Sequence, residues 1–203
     1  MHSTKLLEKA VEQFALLPGI GKKTALKFVL YLLKKEPQEV EAFIKSIQEL
    51  KSNIQECQQC HNISDGALCE ICSSSQRDTS IICVVENIKD ILSIEATSQY
   101  NGLYHVLGGI ISPMDGIGPA DLHINSLLER IERDPIREII FALSATIEGD
   151  TTGYYIFKKL KNKENLIIST LAKGISIGND LEYTDELTLG RSIVNRVKFN
   201  LNE

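Results

Sequence analysis

The segment "CQQCHNISDGALCEIC", residues 57–72, contains four of the five cysteines of this 203-residue chain. The cysteines form two Cys-x2-Cys pairs that are separated by eight residues. Each pair makes a tight turn that can direct two thiolates to one point, and two such turns complete a tetrahedral shell. We therefore predict one structural Zn²⁺, with no coordination position left for catalysis, held by Cys57, Cys60, Cys69 and Cys72.

Other interpretations of these cysteines are weaker. A redox dithiol needs only one Cys-x2-Cys pair, and a disulfide framework is typical of secreted proteins. His61 follows Cys60 directly and could compete as a metal ligand. The fifth cysteine, Cys83, lies in the apolar run "SIICVV", which predicts a buried strand residue.

The composition limits the class of protein. The chain is 43% hydrophobic, its first residues "MHSTKLLEKAVEQF" are amphipathic, and eighteen apolar residues never occur together. These features predict a cytoplasmic protein without a membrane segment. The net charge of −5 argues against a globally basic nucleic-acid binder, although a local basic patch remains compatible with it.

A basic patch occurs near the N-terminus, where two amphipathic helices are joined by Pro-Gly-Ile-Gly. Apolar residues recur at helical spacing on both sides of this turn, and the second helix is predicted to begin near Lys22. The arrangement resembles a helix-hairpin-helix, a module that binds the DNA backbone. Glycines let backbone N–H groups approach a phosphate, and the positive end of the second helix faces the same place. The candidate DNA contacts are Gly19, Ile20, Gly21, Lys22, Lys23 and Lys27. The alternative is an ordinary helical hairpin with a solvated lysine face.

From residue 80 onward the period of the apolar residues changes from helical to strand-like. Strands are predicted at "SIICVVE", "LYHVLG", "EIIFALS" and "NLIIST", with helices between them at Ile88–Ala96, Ile124–Ile131 and Thr152–Leu160, and a last helix at "DELTLGRSIVNRVKF", which ends at Phe199. A third N-terminal helix carries Val40 to Leu50. Strands that alternate with helices predict an α/β domain, in which a parallel sheet is covered by helices on both faces.

Acidic residues follow the first predicted strand, at Glu86 and Asp90. Sites in open α/β sheets lie beyond the carboxyl ends of the strands, and two carboxylates there could hold Mg²⁺. The pattern resembles the first acidic motif of a Toprim domain. The second motif, Asp-x-Asp, is absent, because the third strand is followed by "SAT", with Glu148 just beyond. Weak Mg²⁺ binding is therefore expected. The alternative is a solvated turn with carboxylates that favour a helix start.

The order of these parts resembles the bacterial recombination mediators of the RecR family over nearly the whole chain. The stretches that carry the resemblance are "LPGIG", the four cysteines, "VVENIKDI", "YHVLGGIISPMDGIGPADL", "TIEGDTTGYYI" and "GNDLEYTDELTLGRSI". The chain departs from the family pattern at three places. Ser169 and Thr170 replace a Thr-Arg pair, "GIS" at residues 174–176 replaces Gly-Ile-Pro, and "ALSATIEG" lacks an Asn-Pro before its threonine.

The resemblance implies a non-enzymatic DNA clamp that acts in recombinational repair. Family members form rings, usually tetramers, and act with RecO and RecF to load RecA at single-strand gaps and breaks. It implies a DNA-contact region at 1–55, a zinc finger at 56–73, a Toprim-like domain at 78–175 and an oligomerisation segment at 176–203, with a tetramer or dimer as the assembly. The carboxylates of Glu86, Asp90 and Glu148 then become candidates for contacting a partner.

Two other functions remain open from the sequence. A Mg²⁺-dependent Toprim phosphotransfer enzyme, either a nuclease or a topoisomerase, would use the acidic residues catalytically. A topoisomerase also needs a tyrosine nucleophile, and none of the available tyrosines lies in a recognisable motif: Tyr100, Tyr104, Tyr154, Tyr155 and Tyr183. A scaffold protein without any DNA contact is the third possibility.

Overall fold

The computed structural model describes residues 4–176, 178 and 180–198. The chain divides into two compact units, Met1–Ile54 and Gln55–Glu203. The terminal helix ends at Val194, five residues before its predicted end at Phe199. Phe199 and the end of the predicted segment 176–203 lie outside the described residues.

The first unit is helical, as the sequence predicts. Helix α1 spans Lys5–Ala15, α2 spans Lys22–Leu32 and α3 spans Pro37–Asn53. The hydroxyl of Thr4 accepts a hydrogen bond from the N–H of Leu7 at 3.3 Å, which caps α1. Helix α3 begins with a proline and a capping box, two signals that favour a helix start.

Only a narrow seam joins α1 to α2. Ala25 and Val29 are buried, and the rings of Phe14 and Phe28 lie 6.0 Å apart. The helical spacing of the apolar residues predicts that Leu6 and Leu33 also lie on the inner faces of these helices, but 83% and 69% of their surfaces are exposed. Leu6 lies in the first turn of α1, and Leu33 follows the last residue of α2, so both lie at the ends of their helices.

The second unit begins with the region of the four cysteines. Strands β1, Gln55–Glu56, and β2, Ile63–Ser64, form a small antiparallel hairpin, and the short helix α4 spans Glu70–Ser73. This region leads directly into a larger sheet.

The larger sheet has four parallel strands in the order β4-β3-β5-β6. The strands are β3, Asp78–Val85; β4, Gly102–Val106; β5, Glu138–Ala142; and β6, Ile167–Thr170. The helices are α5, Ile88–Ala96; α6, Ile124–Arg133; α7, Ile147–Leu160; and α8, Glu186–Val194. All four strands occur where the sequence predicts them.

The central strand β3 is buried on both of its faces. Ile82 and Val84 point into a core with residues of α6 and α7, whereas Cys83 and Val85 point into a second core with α5. This confirms the predicted α/β fold with helices on both faces. It also confirms that Cys83 is a buried strand residue, and burial raises the pKa of its thiol to about 12.

Helix α7 begins at Ile147, five residues before its predicted start at Thr152. Two glycines and the threonines of "TIEGDTTG" weaken the apolar period there, so the pattern hides the first turn. The structure shows the start signal instead: the hydroxyl of Thr146 accepts a hydrogen bond from the N–H of Gly149 at 3.1 Å. None of the helices in the described part of the chain combines the length and the apolar composition that a membrane span requires.

Candidate metal centre and nucleic-acid interface

The four predicted metal ligands lie together. Their sulfur atoms all fall within 4.8 Å of one another, and the Cys60 and Cys69 sulfurs are 3.6 Å apart. Neighbouring sulfurs on a tetrahedral zinc with 2.3 Å bonds lie about 3.8 Å apart. The cluster therefore has the size and donor chemistry of a four-cysteine zinc site.

Backbone hydrogen bonds shape this cluster. The N–H of Cys57 donates to the carbonyl oxygen of Asn62 at 2.7 Å, and the N–H of His61 donates to the carbonyl oxygen of Cys57 at 3.0 Å. The N–H of Cys69 donates to the Cys57 sulfur at 3.3 Å, a bond that stabilises a thiolate. Hydrogen bonding to Cys69 raises the pKa of the Cys60 thiol, and the same contact lowers the pKa of Cys69.

The ring of His61 does not compete for the metal position among the sulfurs. Its Nδ1 contacts a carboxylate oxygen of Glu56, and its Nε2 lies 2.8 Å from the hydroxyl of Ser126. His61 thus faces the start of α6, away from the shell that the four cysteines form.

Two polar contacts fasten this region to the edge strand β4. The N–H of Val106 donates to the carbonyl oxygen of Cys60 at 2.8 Å. Arg130, 2% exposed, donates from Nη1 to the carbonyl oxygens of Tyr104 at 2.8 Å and Gln59 at 3.4 Å. Arg130 was not among the predicted functional residues. The sequence does contain a signal for it, because Arg130 lies three residues after Leu127 and therefore on the apolar face of α6.

In the first unit, the Pro-Gly-Ile-Gly turn leaves its backbone open to the surroundings. Gly19 has a φ of +77°, a left-handed conformation that favours glycine. The N–H of Ile20 is bonded within the turn, to the carbonyl oxygen of Leu17 at 3.0 Å. A Cβ atom at Gly19 or Gly21 would have no neighbour within 4 Å, so there is space for a ligand to approach the backbone at both glycines.

The positive end of α2 follows this turn. Gly21 precedes the helix and has no side chain with which to cap its first N–H groups. The first turn contains Lys22 and Lys23, and both are exposed, as is Lys27 one turn later. Free N–H groups, the helix dipole and lysines together form a site that suits an anion such as a phosphate.

The three candidate acidic residues do not converge. Glu86 follows β3 and accepts a hydrogen bond from the N–H of Ser144, and Asp90 accepts one from the N–H of Asn87 at 2.9 Å. Both carboxylates line a cavity of about 280 Å³ at the carboxyl ends of the strands. Glu148 lies exposed in the first turn of α7 and does not line this cavity. In the part of the chain that is described, these three carboxylates do not form a group that could hold a metal ion.

The two residues that depart from the family pattern in β6 bond within the sheet. The hydroxyl of Ser169 donates to a carboxylate oxygen of Glu138 at 2.7 Å, and that of Thr170 donates to the carbonyl oxygen of Phe141 at 3.2 Å. Lys173 lines the same cavity as Ser169 and Thr170, and it forms an ion pair with Asp150 at 2.5 Å.

Comparison with known proteins identifies the relatives of this chain. It is 58% identical over 198 residues to the recombination protein RecR of Bacteroides fragilis, covering 98% of this chain and 96% of that one. It is 54% identical over 199 residues to the RecR of Amoebophilus asiaticus, covering 98% and 99%, and 55% identical over 197 residues to that of Flavobacterium psychrophilum, covering 97% and 95%. The chain belongs to the RecR family.

Family models match the parts of this RecR family member in sequence order. The RecR helix-hairpin-helix matches residues 7–51, the RecR four-cysteine zinc finger domain matches 54–74, a Toprim domain matches 80–172 and the RecR C-terminal region matches 174–197. These matches cover the basic turn, the sulfur cluster and the parallel sheet described above. They support a role in recombination and repair.

Proposed function

We propose that this chain is a DNA-binding recombination mediator of the bacterial cytoplasm. It forms a ring-shaped clamp, a tetramer or a dimer, and with RecO and RecF partners helps to load RecA at single-strand gaps and breaks. The observation that carries this proposal is the open Pro-Gly-Ile-Gly turn at the positive end of α2, in a chain of the RecR family.

The turn suits contact with DNA backbone of any sequence. Gly19, Ile20 and Gly21 bring main-chain atoms close to a phosphate, and Lys22, Lys23 and Lys27 add positive charge around it. Contacts to phosphates position a protein on DNA without reading bases. Since the whole chain has a net charge of −5, encirclement by a ring would retain DNA where the overall electrostatic attraction is weak.

The second element of the proposal is a structural Zn²⁺ at Cys57, Cys60, Cys69 and Cys72. The spacing of the sulfurs and the buried setting of three of the cysteines support it. The region from β1 to α4 is too small to bury a core of its own, so metal binding would supply the free energy that orders it.

The third element assigns Glu86, Asp90 and Glu148 to partner contact. Two of these carboxylates hold local structure, through Ser144 and Asn87, and Glu148 is exposed on its own. Hard cations need several convergent oxygen ligands, and this arrangement does not bring the three together. The three carboxylates therefore have a non-catalytic role in this proposal. The segment 176–203 is assigned to oligomerisation.

One experiment tests DNA binding against catalysis. An end-labelled gapped DNA is incubated with zinc-replete protein and Mg²⁺, and the sample is divided between a native and a denaturing gel. We expect a shifted band on the native gel and intact strands on the denaturing gel. Cut or covalently modified strands that disappear with Glu86→Gln would overturn the clamp and establish the Toprim enzyme instead.

The clamp itself is tested with DNA topology. We expect the protein to stay on a closed circular duplex at a salt concentration that releases it from the same duplex after linearisation. Equal retention on both forms would contradict encirclement while leaving DNA binding intact.

The partner surface is tested in a RecA-loading assay on gapped DNA coated with single-strand-binding protein, in the presence of RecO and RecF. We expect Glu148→Lys to slow loading and leave DNA affinity unchanged, because the side chain is exposed and lies in the other unit from the basic turn. Glu164→Lys, an exposed charge reversal between α7 and β6, is the matched control. Equal loading by both variants would remove Glu148 from the partner surface.

A further inference from the structure

A second cluster of metal-ligating side chains lies beside the four cysteines. Glu56 in β1, His61 after Cys60, and His123 at the start of α6 bring one carboxylate oxygen and two ring nitrogens within 4.8 Å of one another. Two of these side chains belong to the cysteine region and one belongs to the sheet domain, so the cluster lies where the two regions meet.

The orientation of His123 is fixed by its backbone partner. Its Nδ1 lies 3.1 Å from the carbonyl oxygen of Val106, which can only accept a hydrogen bond, so Nδ1 carries the proton. In a neutral ring the other nitrogen, Nε2, then presents a lone pair. That nitrogen lies 3.6 Å from a carboxylate oxygen of Glu56, so two acceptors face each other. Such a pair requires a proton or a cation between its members.

His61 faces the same oxygen of Glu56 with its Nδ1. Its Nε2 lies 2.8 Å from the hydroxyl of Ser126, which can accept a hydrogen bond while donating its own proton to the carbonyl oxygen of His123 at 3.0 Å. Both histidines therefore have a partner for the nitrogen that faces away from the carboxylate. This is the usual setting of metal-bound histidine, whose outer N–H is held by a carbonyl or a hydroxyl.

We propose that Glu56, His61 and His123 form a second metal site that takes a divalent transition ion of the Zn²⁺ class. Two imidazoles and one carboxylate are a common zinc ligand set, and ligand atoms on a tetrahedral zinc lie about 3.3 Å apart. Glu56, with 54% of its side chain exposed, can move to accommodate the ion. The rings of His61 and His123 are stacked, with centroids 3.7 Å apart and planes at 19°, so one ring must also tilt for both nitrogens to face the ion. The side chain of His123 is 37% exposed, so solvent reaches this position and a water molecule completes the coordination shell of the ion.

The ion at this second site joins the cysteine region to the sheet domain. Glu56 and His61 belong to the former, whereas His123 follows the loop after β4 and directly precedes α6. The bond from Val106 to Cys60 runs beside the same contact. An exchangeable ion here reinforces the docking that these backbone contacts begin, and it does so without any thiolate.

The order Ser126, His61, Glu56 also matches that of a nucleophile, a base and an orienting carboxylate. Such a triad gives no role to His123, although its Nε2 faces the same carboxylate. The Ser126 hydroxyl, moreover, bonds the His123 carbonyl within the first turn of α6. The Nε2 atom of His123, as a second nitrogen beside the carboxylate, favours a metal ion over nucleophilic catalysis.

The test counts zinc ions on the full-length protein. A mild treatment with EDTA removes exchangeable metal and leaves the ion held by four thiolates, after which Zn²⁺ is added in a calorimeter. We expect one further equivalent to bind per chain. Cobalt(II) added to the same zinc-bearing protein gives weak visible bands and no intense near-ultraviolet band, because its ligands are nitrogen and oxygen.

His123→Gln and Glu56→Gln each weaken this second equivalent at least tenfold, whereas Glu129→Gln, an exposed change on α6, leaves it unaltered. Glu56 is exposed, so its variant should retain the fold even where that of His123 does not. The absence of a second equivalent in the unaltered chain would overturn the site. Unchanged binding by both variants, or a strong thiolate band with cobalt, would equally overturn the site.

Discussion

The N–H of Val106, the last residue of β4, donates to the carbonyl oxygen of Cys60 at 2.8 Å. Because β4 is an edge strand, this bond uses a donor that would otherwise remain open at the edge of the sheet. The region that carries the four cysteines is therefore part of the packing of the sheet domain. A substitution in the sulfur cluster should therefore also lower the stability of the sheet domain.

Cys57→Ser tests this coupling. We expect the variant to lose its zinc and to lower the free energy of unfolding by about 3–5 kcal/mol, because the metal orders a segment without its own core. Zinc content by mass spectrometry and unfolding in urea measure the two effects. Cys83→Ala is the control, since this buried cysteine lies in β3 and its loss should leave the zinc content unchanged. Unaltered zinc in Cys57→Ser would remove the four-cysteine assignment.

Arg130→Met tests the buried guanidinium. The variant keeps most of the side-chain volume but leaves the carbonyl oxygen of Tyr104 without its 2.8 Å donor, so we expect a loss of about 1–3 kcal/mol in the free energy of unfolding. Arg133→Met, three residues further along α6, removes an exposed arginine that pairs with Asp134. Urea unfolding should not distinguish that control from the unaltered chain. Equal stability of both variants would show that Arg130 holds nothing essential.

The helices and strands were predictable wherever local signals agree. Helix α5 has the predicted bounds, Ile88–Ala96, because Asn87 and Asp90 form a capping box directly before a clear apolar period. The central strand β3 is apolar on both faces, which the sequence shows as a continuous run. The start of α7 was missed because glycines hide the period and a threonine cap gives the true signal.

The contacts between distant segments were not predictable from local patterns. Arg130 lies on an apolar helix face, and only the folded sheet shows that it meets Tyr104 and Gln59. His61 and His123 are far apart in sequence and meet because the loop after β4 returns to the cysteine region. The cluster of the four cysteines, in contrast, was predictable, because their spacing alone indicates two adjacent turns.

Lys22→Gln with Lys23→Gln tests the basic turn. If each lysine binds one phosphate, the slope of log affinity against log salt on duplex DNA should become shallower by about 0.9 for each lysine that is replaced. Fluorescence anisotropy between low and high salt measures it. Lys158→Gln with Lys161→Gln removes two exposed lysines from the other unit and is the control. An unchanged slope in the first variant would exclude this turn from the DNA interface.

Gly149→Ala tests the turn between β5 and α7. A Cβ atom at this position would overlap the carbonyl oxygen of Ser144, the residue whose N–H bonds Glu86. The turn must shift, and we expect a loss of about 1–3 kcal/mol in the free energy of unfolding. Gly153→Ala in the same helix meets its neighbours at 3.7 Å and should stabilise the protein by about 0.5–1 kcal/mol. Opposite signs in urea unfolding would confirm the geometry, and equal signs would contradict it.

Glu95 gives the stability of the sheet domain a pH dependence. Hydrogen bonds from Arg77, and a further one from the hydroxyl of Tyr104 at 2.6 Å, hold the pKa of this carboxyl below its ordinary value of 4.5. A lowered pKa stabilises the folded state above the unfolded pKa, and that contribution disappears as the pH falls through the folded value. Glu95→Gln should therefore be less stable than the unaltered chain at pH 7, and the difference should shrink below pH 4.5. Thermal melts over that range measure it, and a constant difference would show that Glu95 acts through packing alone.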